Sequence, residues 1–265
     1  MKKITIVCFI FLIFGCSEER VGDTANDSSR SDSCSTIDDC FQRAKSGDTE
    51  AQYQLGILLI KDGQVDSGLS WGKTAAKRGH IQANRDLGRL YAKDDLEFLA
   101  YEYLERAASL GDPLSQYWLG LFCQWKNLKD ITIDCTPSSS EKWILKSANQ
   151  GYPEALSYQA MYLASTDEER FSLKKRAAEG GDQSSMAAIG ASFHAGIGVK
   201  QDCVEGYAWA LAANEFGEIS DELDKDHINM SLELTGSDIS EIQKRVALKR
   251  SKEILASVKP FTWEG

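Results

Sequence analysis

The sequence predicts an all-α solenoid, in which pairs of helices stack side by side. The main observation is a motif that returns five times along the 265 residues. Each copy has a small residue, a Leu-Gly-like pair four residues later, and then an Ala-Ala-like pair and a glycine. A period of about 30 to 40 residues is typical of stacked helix pairs and not of an enzyme domain with a single core. The copies begin at Ala51, Ala83, Ser115, Ala155 and Ser185.

The glycines of each copy fit a unit of two helices. Gly56, Gly88 and Gly190 fall in the middle of the first helix, where glycine costs about 1 kcal/mol against alanine. That cost is tolerated where a neighbouring helix has to come close, so we expect these glycines to serve packing rather than ligand binding. Another glycine ends each pair, as in a left-handed C-terminal cap, at Gly79, Gly111, Gly151 and Gly181.

The fifth copy carries the most specific motif. Its loop reads Gly-Ile-Gly-Val over 196–199, followed by Asp202, and the next helix contains Tyr207-Ala208-Trp209. With the five repeats, this pattern resembles the Sel1-like repeat family, which is related to the tetratricopeptide repeats. The resemblance implies a right-handed superhelical solenoid of helix-turn-helix repeats over residues 37–220. The fourth copy departs from the family's pattern at Gln159-Ala160, which predicts a less tightly packed helix pair.

The C-terminal segment, residues 221–265, predicts capping helices that close the stack. Thr235 and Asp238 form a capping-box pattern. A cap with a polar outer face prevents repeats from associating end to end; a partner-binding helix is the alternative. The partial apolar face of the predicted cap consists of Ile239, Ile242, Val246 and Leu248, and Ile254-Leu255 continue it.

The N-terminus predicts export and lipid anchoring. Lys2-Lys3 precedes an apolar stretch, residues 4–14, that is too short to span a bilayer. With the Gly15-Cys16 junction, residues 1–15 resemble a bacterial lipoprotein signal peptide, which implies lipid on Cys16. Ser17 after the cysteine resembles the signal for the outer membrane in Gram-negative lipoproteins, so we expect the protein to face the periplasm. An ordinary secretory signal is the alternative.

Composition limits the partners. Residues 16–36 are mostly polar and predict a disordered tether between the lipid and the repeats. The chain has 30 basic and 40 acidic residues, and removal of Lys2 and Lys3 with the signal changes the net charge from −10 to −12. This acidity argues against nucleic acid and against anionic membrane surfaces as partners. Contact with the membrane is therefore expected through the lipid anchor.

Five cysteines remain after residues 1–15 and the lipidated Cys16 are set aside. Cys123 and Cys135 flank the loop inserted in the third repeat, and Cys34 and Cys40 bracket the entry into the first helix. In an oxidising compartment we expect the bridges Cys123–Cys135 and Cys34–Cys40, with Cys203 free. Two reduced cysteines are the alternative for each pair. No histidine pair accompanies these cysteines, so no metal site is expected.

The search for catalytic motifs gives only weak matches. Three Ser-x-x-Lys patterns lack the companion motifs of penicillin-recognising enzymes. The three histidines are far apart in sequence, and we expect His80 and His227 to be solvated. The sequence therefore predicts a protein that is not an enzyme and that carries no cofactor. The Ser-x-x-Lys patterns are Ser70/Lys73, Ser139/Lys142 and Ser172/Lys175.

The repeat register predicts a binding stripe on the first helices. In solenoids of helix pairs these helices line the concave face, and positions two, six and about ten after each repeat start point inward. Aromatic side chains beside basic ones suit an acidic, partly apolar part of a protein partner. The alternatives are a core role for the tyrosines and a solvated role for the basic residues. The predicted partner-binding residues are Tyr53, Ile57, Arg85, Arg89, Lys93, Tyr117, Leu121, Trp125 and Met161.

Together with the resemblance, these observations predict a lipid-anchored protein–protein interaction module. Lipoproteins of this size with similar repeats occur as immunity proteins. That implies the neutralisation of a secreted antibacterial effector, such as a type VI secretion phospholipase. One alternative is an envelope scaffold or regulatory adaptor. Another, from a different class, is a hydrolase that acts on β-lactam or cell-wall substrates.

Overall fold

The structure, a computed structural model, describes residues 34–125, 135–217 and 222–262. These residues form thirteen α-helices and no strand, which confirms the predicted all-α class. The predicted signal peptide, Cys16 and most of the predicted tether lie outside the described residues. The chain divides into two compact units, the first ending at Thr136 and the second beginning at Pro137. The boundary falls inside the third repeat, so the two helices of that repeat belong to different units.

The first unit contains one additional helix followed by five helices of the first three repeats. Each helix packs against the next along the chain. Each repeat pair is closed by the predicted left-handed glycine, with φ of 87° at Gly79 and 103° at Gly111. The helices are α1 (Ile37–Ser46), α2 (Thr49–Lys61), α3 (Val65–Lys77), α4 (Ile81–Lys93), α5 (Glu97–Ser109) and α6 (Pro113–Trp125).

The mid-helix glycines let paired helices come into backbone contact. A Cβ on Gly68 would lie 2.6 Å from the carbonyl oxygen of Gly56, and a Cβ on Gly56 would lie 3.0 Å from that of Gly68. The same reciprocal contact recurs in the fifth repeat, where a Cβ on either Gly190 or Gly206 would lie 2.8 Å from the other's carbonyl oxygen. Because no side chain fits there, these glycines set the distance between the two helices of a pair, as the sequence predicted.

A row of buried side-chain amides joins successive repeats of the first unit. In each case an amide one residue after the repeat start donates to a carbonyl oxygen near the end of the preceding helix. The second unit has Leu156 and Met186 at the equivalent positions, both fully buried. The three hydrogen bonds are Gln52–Ala44 at 3.0 Å, Asn84–Ala76 at 2.9 Å and Gln116–Ala108 at 3.0 Å.

Two disulfides stabilise the ends of the first unit, and they are the pairs predicted from the sequence. Cys34–Cys40 joins the segment before α1 to the helix itself, and both cysteines are buried in an apolar cluster with Leu55. Cys123–Cys135 closes the loop that follows α6. Cys203 is free and half-buried. The first bridge therefore ties the entering chain to α1, on which α2 packs.

The second unit contains the remaining repeat helices and two C-terminal helices. The fourth repeat, which departs from the motif, has a first helix of only 10 residues. Its second helix begins near the loop of the fifth repeat, where Gly198 lies so close to the Asp167 carbonyl that a Cβ would be 2.1 Å away. The helices are α7 (Pro137–Asn149), α8 (Pro153–Tyr162), α9 (Asp167–Glu179), α10 (Gln183–Ala195), α11 (Cys203–Glu215), α12 (Glu222–Gly236) and α13 (Glu241–Ser257).

The C-terminal helices exist as predicted, but their cap and their buried face differ from the prediction. The capping box is formed by Ser240 with Gln243 at the start of α13, whereas Thr235 is buried inside α12 and donates to the Ser231 carbonyl oxygen. Of the predicted apolar face, Ile239 and Ile254 are buried, whereas Ile242, Val246 and Leu248 are 76%, 56% and 42% exposed. The prediction was wrong for these three positions because α13, which packs on α11, buries the small residues Ala247 and Ser251 instead. The buried residues of α13 are Ala247, Ser251 and Ile254.

The end of the chain runs back along α9. The backbone amides of Lys259 and Phe261 donate to the carbonyl oxygens of Glu179 and Gly180, both at 3.0 Å. The Phe261 ring packs edge-on against Tyr152. These contacts supply partners for the last carbonyl groups of α9, which a helix cannot satisfy internally. Within the described residues, no helix has both the length and the apolar composition needed to cross a membrane.

Candidate functional site

The predicted stripe lies mainly on three helices of the first unit. Side chains 32 positions apart occupy equivalent places on α2, α4 and α6, so the repeat register was predicted correctly for these helices. Their environments nevertheless differ strongly. Some of these side chains connect one repeat to the next, one is buried, and others remain at the surface.

Tyr53 lies between the first two repeats. Its hydroxyl group donates to Asp86 Oδ2 at 2.8 Å, and its ring stacks on His80 with centroids 4.6 Å apart. Burial, followed by the nearby negative charge of Asp86, raises the pKa of Tyr53 far above its ordinary value. The phenol therefore stays neutral and donates its proton. Tyr53 holds α2 against α4, in agreement with the alternative core role.

Arg85 is held by two buried carboxylates. Its Nη1 lies 3.2 Å from Asp112 Oδ1, and its Nε lies 3.6 Å from Asp86 Oδ1. Asp112 also accepts hydrogen bonds from the backbone and the hydroxyl group of Ser115, at the start of α6. Its side chain is only 1% exposed. Arg85 thus links α4 to the start of α6, and its charge is compensated inside the protein.

Burial raises the pKa of Asp86 above its ordinary value. The positive charges of Arg85 and Arg89 and the hydrogen bond from Tyr53 act in the opposite direction. These three groups therefore favour the ionised form of the Asp86 carboxylate and oppose the effect of burial. Such compensation is what a carboxylate taken out of water requires.

Arg89 has a different environment, one turn further along α4. Its guanidinium carbon lies 5.6 Å from the centroid of the Trp118 ring, within the range of a cation–π interaction. Among the described residues, no carboxylate lies within 4.0 Å of its nitrogen atoms. Arg89 and Trp118 are both half-buried, so part of each side chain remains open to a partner.

The remaining predicted residues divide between surface and interior. Ile57 and Tyr117 are half-buried, and Lys93 is exposed. Leu121 is only 7% exposed, so its prediction as a contact residue was wrong. It lies beside buried Phe122 and Cys123 at the end of α6, to which the disulfide returns the chain. The side chain of Trp125 lies outside the described part of the structure.

Met161 belongs to the second unit. It is 58% exposed near the end of the short helix α8, and Tyr162 beside it is 65% exposed. The Tyr162 ring packs on Tyr158 with centroids 4.6 Å apart. Met161 is therefore at the surface, and its part in partner binding stays a prediction.

His80 is not solvated, which corrects the prediction. Its side chain is only 8% exposed, and Nε2 lies 2.8 Å from Glu50 Oε2. Nδ1 accepts a hydrogen bond from the backbone amide of Ala83, so His80 is the N-cap of α4. The hydrogen bond with His80 is the main cause that lowers the pKa of Glu50. His227 is also half-buried, with Nδ1 3.3 Å from the Ser184 hydroxyl group.

Several residues of the site carry a signal in the sequence that the predicted stripe does not include. In four of the five copies the residue three before the repeat start caps the first helix through its side chain, and in the first unit this position holds Asp48, His80 and Asp112 at intervals of 32. Tyr152 of the fourth copy makes no such bond. Trp118 lies one residue after the predicted Tyr117 and was overlooked. We name the surface formed by Ile57, Arg89, Lys93, Tyr117 and Trp118 the basic–aromatic face.

The metal-ligating side chains and the lysines of the Ser-x-x-Lys patterns can be located in the described residues. No group of three or more His, Cys, Asp or Glu side chains comes together in a way that could hold a metal ion within these parts of the chain. Two lysines of the Ser-x-x-Lys patterns have other contacts: Lys73 lies 5.7 Å from the Tyr91 ring centroid, and Lys175 pairs with Glu179 at 3.9 Å. These contacts are typical of solvated helix faces.

Comparison with known proteins shows which solved structures have a similar fold. No family model and no curated protein matches the chain. Among solved structures, a protective antigen present in uropathogenic Escherichia coli strains, which displays an SLR fold, is similar with a TM-score of 0.67 and 20% sequence identity. The chain has the SLR (Sel1-like repeat) fold. The match covers 84% of this chain and 48% of the other, so the chain spans about half the length of that structure.

Two further structures have lower TM-scores. A Sel1 repeat protein from Oxalobacter formigenes is 22% identical, with a TM-score of 0.48, over 84% of this chain and 66% of its own. A protein described as a sel1 repeat protein from Klebsiella pneumoniae subsp. pneumoniae is 14% identical, with a TM-score of 0.43, over 74% and 99%. The first of the three structures, with its TM-score of 0.67, confirms the resemblance drawn from the repeat motif at the level of the fold.

Proposed function

We propose that this SLR protein is a protein-binding module that uses the basic–aromatic face of its first unit. The observation that carries the proposal is the half-buried pair of Arg89 and Trp118: the arginine lies beside an aromatic ring and has no ion-pair partner among the residues that the structure describes. Arginine and tryptophan are the side chains most enriched among residues that dominate protein interfaces. Tyr117 and Ile57 add aromatic and apolar area next to them.

The scaffold beneath this face supports binding without rearrangement. Internal hydrogen bonds of Tyr53 and Arg85 fix α2, α4 and α6 to one another. A surface that is already ordered loses little conformational entropy when a partner binds. The whole first unit therefore acts as a preorganised support for a few contact residues.

The proposal includes a place in the cell. The sequence supports a lipid on Cys16 that holds the protein at the outer membrane, facing the periplasm. The two disulfides fit an exported protein, because such bonds persist in oxidising compartments and are rare in the cytosol. The biological role that we propose is immunity, in which the module binds and blocks a secreted antibacterial effector.

Binding is tested with the full chain expressed in a Gram-negative host. Its partner is captured by cross-linking and identified, and affinities are measured for Arg89→Ala, Tyr117→Ala and the control Lys142→Ala on α7. We expect each of the first two changes to weaken binding by about 2 kcal/mol, roughly thirtyfold. Circular dichroism verifies that each variant folds. Equal binding by all three variants would place the interface elsewhere.

The role and the anchor are tested on the same strains. A partner that stops growth when expressed alone, and is harmless when this chain is present, supports immunity; a partner that is harmless alone supports a scaffold instead. Membrane fractionation compares the wild type with Cys16→Ser, which we expect to move from the membrane to the soluble fraction. An identical distribution of the two would contradict the lipid anchor.

A further inference from the structure

The two neighbouring arginines of α4 differ in what surrounds them. Arg85 has a side chain that is 21% exposed and lies between the carboxylates of Asp86 and Asp112. Its charge is therefore balanced by groups that are themselves buried. An arginine in this position has few donors left for a partner, and removing it would leave two buried carboxylates without their cation.

Arg89, in contrast, has no carboxylate among the described residues that pairs with its charge. Its contact with Trp118 is to a ring and not to an acceptor, so the five N–H donors of the guanidinium group are not satisfied by a carboxylate among the described residues. The chain as a whole has an excess of acidic residues. Despite this excess, no carboxylate of the described residues lies within ion-pair distance of Arg89, and the acidic group on which its charge acts, Asp86, is paired with Arg85.

The surroundings of Arg89 indicate the chemistry of its partner. A planar guanidinium group binds a carboxylate with two parallel hydrogen bonds, and stacking on an aromatic ring fixes its plane for this. Lys93, one helical turn further along α4, adds a second positive charge on the same side of the helix. Tyr117 and Ile57 flank the pair with aromatic and apolar surface.

We propose that Arg89 binds a carboxylate of an acidic protein segment that also carries an apolar side chain, while Arg85 only holds the repeats together. This inference rests on the proposed function, because it assigns the partner's chemistry to the same basic–aromatic face. It separates two arginines that the sequence treats as equivalent members of one stripe.

The test uses the full chain and a phage-displayed library of random twelve-residue peptides. Peptides selected on the wild-type chain are expected to share an Asp or Glu close to an apolar residue. One selected peptide is then measured against Arg89→Gln, Arg89→Lys and Arg85→Gln, with Lys142→Gln on α7 as the matched control. We expect Arg89→Gln to weaken binding about thirtyfold. Arg89→Lys should retain part of the affinity, because it keeps the charge but loses the planar fork.

A double-mutant cycle identifies the pair of groups. The acidic residue of the peptide is changed to its amide, and this change should cost the wild-type chain as much affinity as Arg89→Gln does. On the Arg89→Gln variant the same peptide change should cost nothing further. For Arg85→Gln we expect lower thermal stability, but binding by the folded protein within about threefold of wild type.

Three results would overturn the inference: no binder on the wild-type chain, binders without an acidic residue, or binders that do not respond to Arg89→Gln. The third result also separates this inference from the proposed function. If Tyr117→Ala still weakens binding, the basic–aromatic face remains the binding site and only the role of Arg89 is wrong. If neither change has an effect, both proposals fail.

Discussion

At the residue scale, one repeat position performs one structural task with different side chains. The N-cap position is aspartate at 48, 112 and 182, and histidine at 80. Carboxylates are common N-caps because they accept from the free amides of the first turn. Histidine does the same with Nδ1, and its Nε2 remains available to hydrogen-bond Glu50 on α2. The substitution therefore adds a connection between repeats that an aspartate could not provide.

This connection predicts a pH dependence of stability. The hydrogen bond with His80 lowers the pKa of Glu50 below its ordinary value of 4.5 in the folded state. The folded protein then holds this proton less tightly than the unfolded chain does. The resulting stability is present above the unfolded pKa and is lost as the pH falls through the lower, folded pKa.

We therefore expect Glu50→Gln to lower the free energy of unfolding most near neutral pH. Its difference from wild type should shrink as the pH falls below about 4.5. Urea unfolding at several pH values measures this. His80→Asn is the matched control, because asparagine keeps the N-cap but loses the bond to Glu50, and it should flatten the profile in the same way. A constant difference at all pH values would show that the hydrogen bond does not govern the titration.

At the element scale, the distance between the helices of a pair depends on a few glycines. Gly68 and Gly72 lie one turn apart in α3, yet their surroundings differ. A Cβ on Gly68 would meet the Gly56 carbonyl oxygen and Ile60, each at 2.6 Å, whereas a Cβ on Gly72 would meet nothing within 4 Å. Alanine favours a helix over glycine by about 1 kcal/mol at either place.

These two positions give opposite predictions for the same substitution. Gly72→Ala should raise the free energy of unfolding by up to about 1 kcal/mol. Gly68→Ala should lower it by about 1 to 3 kcal/mol, because the helices must separate to admit the methyl group. Thermal and urea unfolding of the two variants decide the matter. Stabilisation by both would mean that α2 and α3 are not in backbone contact.

Disulfides also stabilise individual elements of the fold. The Cys123–Cys135 bridge joins residues 12 positions apart, and loop closure of this size stabilises a fold by about 3 kcal/mol. We expect Cys123→Ser with Cys135→Ser to lower the free energy of unfolding by up to that amount. Cys203→Ser, at the free cysteine, is the control and should change little. Equal stability of the double variant and the control would indicate that the bridge does not form.

At the scale of the whole molecule, the repeat period made the helix pairs predictable. It did not predict which faces of the helices are buried against their neighbours. The spacing of Leu-Gly pairs located five pairs, and the terminal glycines located their ends. The spacing could not show that Leu121 is buried, because burial depends on what packs against that end of α6. It also missed the outward position of Ile242, since apolar periodicity alone cannot show that small residues such as Ala247 and Ser251 face α11.

The site was predicted at the level of its helices and only partly at the level of its residues. Repeat register placed Tyr53, Arg85 and Arg89 on neighbouring helices. Which of them would be internally bonded depends on Asp86 and Asp112, whose burial follows from how the repeats stack. The sequence treats the three as one stripe, whereas the structure makes two of them part of the scaffold.

The division into two compact units predicts where the chain unfolds locally when one of its buried residues is truncated. In repeat proteins each repeat contacts its neighbours, so a local defect weakens mainly the adjacent helices. Leu55 in the first unit and Met186 in the second are both fully buried. Truncation to alanine at either position should cost about 2 to 5 kcal/mol. We expect hydrogen exchange to rise first in α1 to α4 for Leu55→Ala, and in α9 to α12 for Met186→Ala. If each variant instead accelerates exchange equally in all the described helices, the chain unfolds as one cooperative body and the two units are not energetically separate.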